Sequence, residues 1–372
     1  MNQEDTSNLK KITLRKLREK VREVKSRLPK DNRFTITFSK NFTLSLSNYC
    51  QNFCGYCFYN FQIPKIKGEE NVVLLEHEQM KDIIQKGIFY NCTEALIMSG
   101  ERPDNYKEVK EELKKRIYDN FIEFVKDISR YLLDFNLLPH TNVGTLTFNE
   151  LKQLKNYNAS MGLMLESTSI KLLKKGGVHE QSPGKIPENR INHIIDAGKL
   201  KIPFTTGLLL GIGESFDDRV KDLHLIKKIH DSYGHIQEVI IQNFVDKPGI
   251  PYRPKTPIMI EDILRVVGIA RIIFENEIAI QVPPNLISGY EKEFIEMGID
   301  DFGGISPLTS DYINPEKKWP HIDDLKHICE SKGYILKERL PIYDKFIQKN
   351  GFCPDNIKKI IMEFEIFNYN GI

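Results

Sequence analysis

The chain has 372 residues, with 53 Lys and Arg against 51 Asp and Glu, and 40% of its residues are hydrophobic. This composition is too apolar for a disordered chain, and its balanced charge argues against a dedicated nucleic-acid-binding protein. No apolar run approaches the roughly 18 residues that a membrane span needs, and the first residues lack a secretory signal. We therefore expect a cytoplasmic globular protein without nucleic-acid or membrane partners.

The first 35 residues predict a basic amphipathic helix. Its apolar residues recur at helical spacing, at Leu14, Leu17, Val21, Val24 and Leu28. Such a helix can bind a nucleic acid or a membrane surface, or it can dock on the protein with its basic face in water. Because Glu19 and Glu23 interrupt the positive charge and the apolar stripe is narrow, we favour docking.

From residue 42 onward, apolar runs alternate with amphipathic stretches. The predicted strands lie at 42–47, 94–100, 137–142, 160–167, 203–211, 238–244, 279–285 and 298–304. The predicted helices lie at 76–89, 107–134, 149–155, 187–200, 216–232, 260–275 and 288–296. Eight such repeats favour an α/β fold of the (β/α)8 TIM-barrel type, with a doubly wound open sheet as the alternative. We place the barrel at 36–320, after the N-terminal helix (1–35), and a helical extension packed on it at 321–372.

Polar residues sit at the C-terminal ends of the predicted strands, each group after an apolar run. They lie at 48–57, 99–101, 140–142, 166–167, 211–214, 242–243, Asn285 and 300–301. In a barrel of parallel strands these ends converge on one face, where active sites are built. The sequence therefore predicts one active site at the carboxyl ends of the strands.

Three of the six cysteines, Cys50, Cys54 and Cys57, lie within eight residues after the first predicted strand. Six cysteines are too sparse for a disulfide framework, and a reducing cytosol would keep them as thiols. A [4Fe–4S] cluster can bind three cysteines and leave its fourth iron open. Zinc is the main alternative, but a structural zinc site needs four ligands. His77 or Cys92 could supply the fourth, yet neither lies in a second C-x-x-C-like motif.

The spacing C-x-x-x-C-x-aromatic-C, with Tyr56 at the aromatic position, resembles the radical S-adenosylmethionine (SAM) superfamily. The resemblance implies a cluster with three cysteine ligands, whose open iron binds SAM. It further implies that Ser99, Gly100 and Glu101 bind the methionine ammonium, that Glu166 binds the ribose or the ammonium, and that Arg190 lies near the carboxylate. Gly211 and Gly213 would lie beside the adenine. Without the resemblance, Glu101 could simply pair with Arg102, Glu166 could cap a turn, and the two glycines could be turn residues.

Longer strings resemble one family within this superfamily, the ring-closing subunits of the deazaflavin synthases. Examples are SGERPD (99–104), HEQSPGK (179–185), DDFGGISPLTSDYINPEKKWP (300–320) and RLPIY (339–343). The resemblance spans residues 40 to 345 and implies a lyase of coenzyme factor 420 biosynthesis. Its substrate would be 5-amino-5-(4-hydroxybenzyl)-6-(D-ribitylimino)-5,6-dihydrouracil. A 5′-deoxyadenosyl radical from SAM would abstract a hydrogen atom from it, the ring would close and ammonia would leave.

The same resemblance implies two protein partners. One is the first-step enzyme that joins tyrosine to a diaminouracil; it shares the cysteine motif and is the relative most easily confused with this chain. The other is an electron donor, a reduced ferredoxin or a flavodoxin-like protein.

Substrate and proton-transfer residues are predicted from their chemical type at the strand ends. The candidates for binding the uracil and the ribityl chain are Thr141, Asn142, Gln242, Asn243 and Asn285. The candidates for proton transfer during ammonia loss are His140, His179 and Asp301. For each of these eight residues the alternative is a structural hydrogen bond at the end of the barrel.

Overall fold

The computed structural model describes residues 10–63 and 71–369. Its strands are β1 (Thr35–Ser45), β2 (Glu94–Met98), β3 (Leu138–Asn142), β4 (Ser160–Gly162), β5 (Phe204–Leu210), β6 (Ile236–Asn243), β7 (Ala279–Gln281), β8 (Asp301–Ile305) and β9 (Ile335–Glu338). Strands β1 to β8 follow one another in parallel around the sheet, and β1 also pairs with β2. The sheet is therefore closed, which confirms the predicted barrel and excludes the open sheet.

Helices cover the outside of the barrel. The longer ones are Leu14–Ser26, His77–Phe89, Lys107–Lys115, Phe121–Leu133, Phe148–Lys155, Pro187–Lys199, Phe216–Tyr233, Ile260–Phe274, Ile322–Glu330 and Asp355–Tyr369; the short ones are Lys30–Arg33, Glu291–Glu296 and Asp344–Ile347. The main core lies between these helices and the outward-facing strand residues, such as Phe42, Leu44 and Ile97, which are fully buried. No helix in the described part of the chain is both long and apolar enough to cross a membrane.

The helix Leu14–Ser26 docks on the barrel, as favoured from its sequence. It buries Leu17, Val21 and Val24. A Cβ atom at Gly268, in the helix Ile260–Phe274, would lie 2.7 Å from Leu17 Cγ, so the two helices meet where one of them has no side chain. Lys25, which is also buried, pairs with Asp300 at 3.2 Å. The helix thus contributes to the core and forms an ion pair.

Several predicted bounds differ from the structure. The first strand begins at Thr35 instead of residue 42, because its amino half pairs with β8 and β9. The predicted helix 107–134 is two helices: Ile117 has a φ of +64°, and Asn120 caps the second helix by accepting a hydrogen bond from the Glu123 amide. The strand predicted at 160–167 ends at Gly162, and only Glu166 returns to the sheet, through an isolated bridge to Leu208.

The predicted C-terminal extension also contains a strand. β9 pairs in parallel with Thr35–Phe38, the amino half of β1. The chain then crosses the amino end of the barrel, where the Pro341 carbonyl accepts hydrogen bonds from Ser160 Oγ at 2.7 Å and Gln237 Nε2 at 2.9 Å. This segment, Arg339–Tyr343, closes the floor of the barrel.

Candidate active site

One cavity of about 390 Å³ runs along the inside of the barrel, from the loops that follow the strands down to Arg339 and Pro341. The sequence-predicted residues that line it are Cys50, Cys54, Tyr56, Cys57, Ser99, Gly100, Glu101, His140, Asn142, Glu166, Arg190, Gln242 and Asn243. The barrel therefore brings most of the predicted site together. Its upper end, where these loops meet, is called the mouth below.

The cysteine loop is held by backbone and hydroxyl donors. The amides of Glu101 and Asn52 donate to Cys50 Sγ at 3.2 Å and 3.4 Å, and Ser182 Oγ donates to Cys54 Sγ at 3.4 Å. The loop approaches β2 closely, because a Cβ atom at Gly100 would overlap the Tyr49 carbonyl. Glycine at position 100 therefore lets the cysteines lie against the residues that follow β2.

The cysteine thiols fit an iron–sulfur cluster. Burial raises the pKa of Cys50 to about 12 and that of Cys54 to about 11, so their thiolates need a nearby positive charge, which iron would supply. Among the described residues, no three Cys, His, Asp or Glu side chains converge as ligands of a single metal ion do. A cluster does not need such convergence, because each cysteine binds a different iron. This geometry favours the cluster over zinc.

Glu101 is buried and surrounded by donors. Its Oε1 accepts hydrogen bonds from Thr145 Oγ1 at 2.7 Å and Gln51 Nε2 at 2.9 Å, and Arg190 lies 3.6 Å from Oε2. Burial acts to raise the pKa of Glu101, but Arg190 and the two hydrogen bonds together lower it. Glu101 is therefore an anion that faces the cavity, and it does not pair with Arg102, which instead binds Glu150.

Glu166 is a second buried anion at the mouth. Its Oε1 accepts a hydrogen bond from Lys185 Nζ at 2.7 Å, while its Oε2 is buried and has no hydrogen-bond partner among the described residues. Burial acts to raise its pKa, and Lys185 followed by Arg190 lowers it. Glu166 has a φ of +62°, a conformation that residues other than glycine rarely adopt and that is often found at functional sites. Its free oxygen is available to a ligand.

Arg190 is fixed by the backbone around it. Its Nε donates to the Met164 carbonyl at 2.6 Å and its Nη1 to the Gly184 carbonyl at 3.0 Å. The guanidinium is almost fully buried. Together with Lys185, it places two positive charges beside the two carboxylates, an arrangement suited to a ligand that carries both an ammonium and a carboxylate.

The two predicted adenine glycines do not line this cavity. Gly211 and Gly213, with φ of +92° and +111°, line a second cavity of about 910 Å³ next to Gly55 of the cysteine loop. Glu214 accepts hydrogen bonds there from the amides of Gly211 and Ile212, both at 2.8 Å. These glycines thus shape the wall behind the cysteine loop.

The predicted proton-transfer residues separate into two groups. His140 lines the cavity; its Nδ1 lies 2.7 Å from Ser160 Oγ, and burial lowers its pKa. His179 lies behind Tyr56, with its Nε2 3.0 Å from the phenol oxygen, and burial lowers its pKa to about 3. Asp301 is fully buried in an ion pair with Arg339. Only His140 faces the main cavity.

The position of Asp301 in the eighth strand differs from the predicted one. The sequence places it at the strand's carboxyl end, whereas β8 begins there, so Asp301 lies toward the floor of the barrel. The prediction was off because residues 298–300 look strand-like but connect the preceding helix to β8. Its partner, Arg339, lies in the RLPIY string, which the sequence analysis had singled out. The two residues are 38 positions apart in the chain, so the sequence does not show that they pair.

Two predicted substrate residues do not line the cavity. Thr141 Oγ1 donates to Asn158 Oδ1 at 2.6 Å, on the outer side of β3, because neighbouring strand residues alternate in direction and His140 and Asn142 point inward. Asn285 Nδ2 donates to Asp311 Oδ2 at 3.0 Å, which braces the loop after β8. Both residues have a suitable chemical type, but residue type does not predict where a side chain points.

The sequence reasoning missed several residues that line the cavity. At the mouth it missed Lys185, although this residue lies in the same string as Arg190. At the floor it missed the polar and charged residues Asn41, Glu94, Thr205, Glu238, Gln281 and Arg339. Glu94, Thr205 and Glu238 lie at or near the amino ends of their strands, and Arg339 lies in the C-terminal segment. Asn41 and Gln281 reach the same level because they pair with Glu94 and Asp301, the first residues of β2 and β8. No site was expected there.

Comparison with known proteins agrees with this geometry. Residues 44–226 match the model of the radical SAM superfamily. Curated relatives named 7,8-didemethyl-8-hydroxy-5-deazariboflavin synthase include one from Methanococcus maripaludis, 47% identical over 87% of this chain and 96% of the relative. Another, from Methanocaldococcus jannaschii, is 47% identical over 88% of each chain.

Solved structures support the fold. A maturase of the [FeFe]-hydrogenase superposes with a TM-score of 0.72 at 16% identity, covering 98% of this chain and 77% of the maturase. Methylornithine synthase superposes with a TM-score of 0.67 at 18% identity, covering 90% of this chain and 94% of the synthase. At these identities the likeness concerns the barrel alone.

Proposed function

This chain belongs to the 7,8-didemethyl-8-hydroxy-5-deazariboflavin synthase family of the radical SAM superfamily, and from that membership we propose its reaction in full. It converts 5-amino-5-(4-hydroxybenzyl)-6-(D-ribitylimino)-5,6-dihydrouracil and SAM to the deazaflavin, 5′-deoxyadenosine, methionine and ammonia. The enzyme is an ammonia-releasing lyase that closes the ring of the chromophore. The observation that carries this proposal is the agreement between the family's sequence and a single cavity that holds three cysteines and two buried carboxylates.

Cys50, Cys54 and Cys57 hold the cluster. A [4Fe–4S] cluster bound there supplies the electron for reductive cleavage of SAM. The amide and hydroxyl donors of Glu101, Asn52 and Ser182 stabilise the thiolates, since hydrogen bonds to sulfur favour its charged form.

The ion pairs at the mouth bind SAM. Glu101 accepts a hydrogen bond from the methionine ammonium, and Arg190 faces the methionine carboxylate. Glu166 offers its free Oε2 to the ribose hydroxyls, while Lys185 holds the other oxygen in place. Preformed charges of this kind orient a zwitterionic ligand without a large reorganisation of the protein.

The closed floor protects the reaction. A primary alkyl radical attacks most nearby C–H bonds, so water and mobile groups must be kept from the barrel interior. The segment Arg339–Tyr343 blocks the amino end of the barrel, and its Pro341 carbonyl is anchored by two strands. Substrate and SAM then enter from the mouth.

Among the proton-transfer candidates, we propose His140. Burial lowers its pKa, so it is neutral near pH 7 and can accept a proton at Nε2 while Ser160 holds its Nδ1. His179 and Asp301, which lie outside the cavity, act as supports: His179 positions Tyr56, and Asp301 holds Arg339.

The proposed partners follow from the reaction. The first-step radical SAM enzyme supplies the tyrosine–diaminouracil adduct, and a reduced ferredoxin or flavodoxin-like protein supplies the electron.

An anaerobic assay tests the function. The reconstituted enzyme, with SAM and a reductant, should form the fluorescent deazaflavin from the purified adduct but not from free tyrosine plus the diaminouracil. Formation from the free compounds would assign the chain to the first step instead. A failure to cleave SAM with either would refute both assignments.

A further inference from the structure

The cavity has three zones with different chemistry. The mouth carries the cysteines and the ion pairs. Below it lies an apolar belt, lined by Leu96, Leu163, Leu209, Ile240 and Phe302. The floor is polar again, although it is the part of the cavity most distant from the cysteine loop.

Three floor side chains form a continuous group, called here the polar arc: Asn41 on β1, Glu94 on β2 and Gln281 on β7. Asn41 and Glu94 are paired in register, so their side chains lie next to each other on the inner face of the barrel. Strand β8 lies between β7 and β1 in the sheet and contributes glycine there. A Cβ atom at Gly303 would overlap the Gln281 amide, and one at Gly304 would overlap the Asn41 amide. The glycine pair therefore leaves room for both amides to lie over β8.

The polar arc has unused hydrogen-bonding capacity. Each of its three residues is at least nine-tenths buried and lines the cavity. Within residues 10–63 and 71–369, their side chains make no hydrogen bond with the protein. Buried polar groups are normally paired, and leaving them unpaired costs stability, so a buried group without a protein partner indicates a ligand or ordered water.

Several other polar residues of the cavity are already paired with the protein. On the opposite side of the floor, Glu238 accepts hydrogen bonds from Thr205, Arg339 and Tyr343 at 2.8–2.9 Å. At the mouth, Asp311, Asn314 and Lys247 bind one another and the backbone of their loop. The polar arc is thus a better receptor than these residues for a ligand with several hydroxyl groups.

We propose that the polar arc binds the ribityl chain of the substrate. The carboxylate of Glu94 accepts hydrogen bonds from two hydroxyls, and the amides of Asn41 and Gln281 form hydrogen bonds with the others. This inference rests on the proposed function. The reacting rings must lie next to SAM, and therefore in the apolar belt below the mouth. The polyol, which takes no part in the bond changes, then extends to the floor.

The test compares two substrates with two variants by anaerobic equilibrium dialysis of the reconstituted enzyme without reductant. The substrates are the natural adduct and its analogue with a 6-methylimino group in place of the ribitylimino group. The variants are Glu94→Gln and, as a matched control, Glu330→Gln, an exposed glutamate on the outer helix Ile322–Glu330. A third variant, Gln281→Met, repeats the test at another position of the polar arc.

Glu94→Gln should weaken binding of the natural adduct by about ten- to a hundredfold, the value of a hydrogen bond to a charged group. It should leave binding of the methylimino analogue and of SAM unchanged, and Gln281→Met should show the same pattern with a smaller loss. Equal weakening of both ligands, or no weakening of either, would overturn the inference. Turnover separates this from the proposed function: if the parent enzyme binds the adduct but forms no deazaflavin from it, the function fails while the binding result still decides the polyol site.

Discussion

Two buried carboxylates at the mouth of the cavity stay ionised because of individual neighbouring side chains. Glu101 and Glu166 are each almost fully buried, yet neighbouring cations lower the pKa of both. Each carboxylate lies near a cation, Arg190 or Lys185, and the guanidinium of Arg190 is held by two backbone carbonyls. The site is therefore charged and rigid before any ligand binds.

The cluster assignment gives the first prediction. Replacing Cys50, Cys54 or Cys57 by Ala should abolish the cluster and SAM cleavage, because in the proposed cluster each thiolate binds a different iron. Replacing Cys92 or Cys329, which are buried outside the cavity, should leave about four irons per chain. Iron and sulfide analysis with the visible spectrum provides the measurement. Loss of iron in the Cys329→Ala protein, if it is folded, would contradict the ligand assignment.

The two carboxylates give the second prediction. Glu101→Gln and Glu166→Gln should weaken SAM binding by about ten- to a hundredfold, because each loses a charge-assisted hydrogen bond. The iron content should stay that of the parent, since neither residue binds iron. Equilibrium binding of SAM checks this, with the exposed Glu188→Gln as the matched control. SAM affinity equal to the parent's in both variants would refute the roles of Glu101 and Glu166.

At the scale of elements, the barrel depends on helices that dock on its outside. The helix Leu14–Ser26 lies against the helix Ile260–Phe274, and Gly268 lets Leu17 approach closely. Lys25 on the same helix pairs with Asp300, which also binds Arg271 and the Ile280 amide. The basic face of this helix remains in water, so its positive charge is compatible with a structural role.

The third prediction tests this docking. Leu17→Ala should lower the free energy of unfolding by about 2–5 kcal/mol, because it removes a fully buried side chain and leaves a cavity. Lys20→Ala, an exposed position on the same helix, should change it by less than about 0.5 kcal/mol. Urea denaturation of the reduced protein measures both. A similar effect of the two substitutions would mean that the helix adds nothing to the core.

At the scale of the whole molecule, the C-terminal segment completes the barrel. Arg339 lies between two buried carboxylates, Asp301 at the start of β8 and Glu238 on β6. Tyr343 also donates a hydrogen bond to Glu238, at 2.9 Å. One segment therefore supplies the cation that two acids of the barrel share and closes its floor.

The fourth prediction concerns this ion pair. Arg339→Met should lower the free energy of unfolding by about 3–5 kcal/mol, because it leaves two buried carboxylates without their cation. Arg253→Met should cost less than about 1 kcal/mol, since Arg253 pairs with Asp246 at a position where both are about half exposed. Denaturation midpoints of the two variants, measured under the same reducing conditions, decide the matter. Equal losses would show that Arg339 stabilises the fold no more than an exposed ion pair does.

The sequence by itself determined what depends on local pattern. Apolar runs at regular spacing predicted eight strands, because a strand covered on both faces must be apolar along its length. The cysteine spacing predicted the cluster site, since three ligands on one loop need no other part of the chain. Glu101, Glu166 and Arg190, which line the cavity, were singled out through the resemblance to the radical SAM superfamily.

The tertiary structure alone decided what depends on direction and on distant partners. Thr141 and His140 are adjacent in sequence, yet one faces the helices and the other the cavity, which only the pleat of β3 determines. The sequence predicted Asp301 as a site residue, but in the structure it pairs with Arg339. Glu238 pairs with the same arginine, which lies 101 residues further along the chain. The floor and its polar arc exist only because the strands close into a barrel and the C-terminal segment folds back across it. No local pattern encodes those contacts, since they form between segments that the sequence keeps far apart.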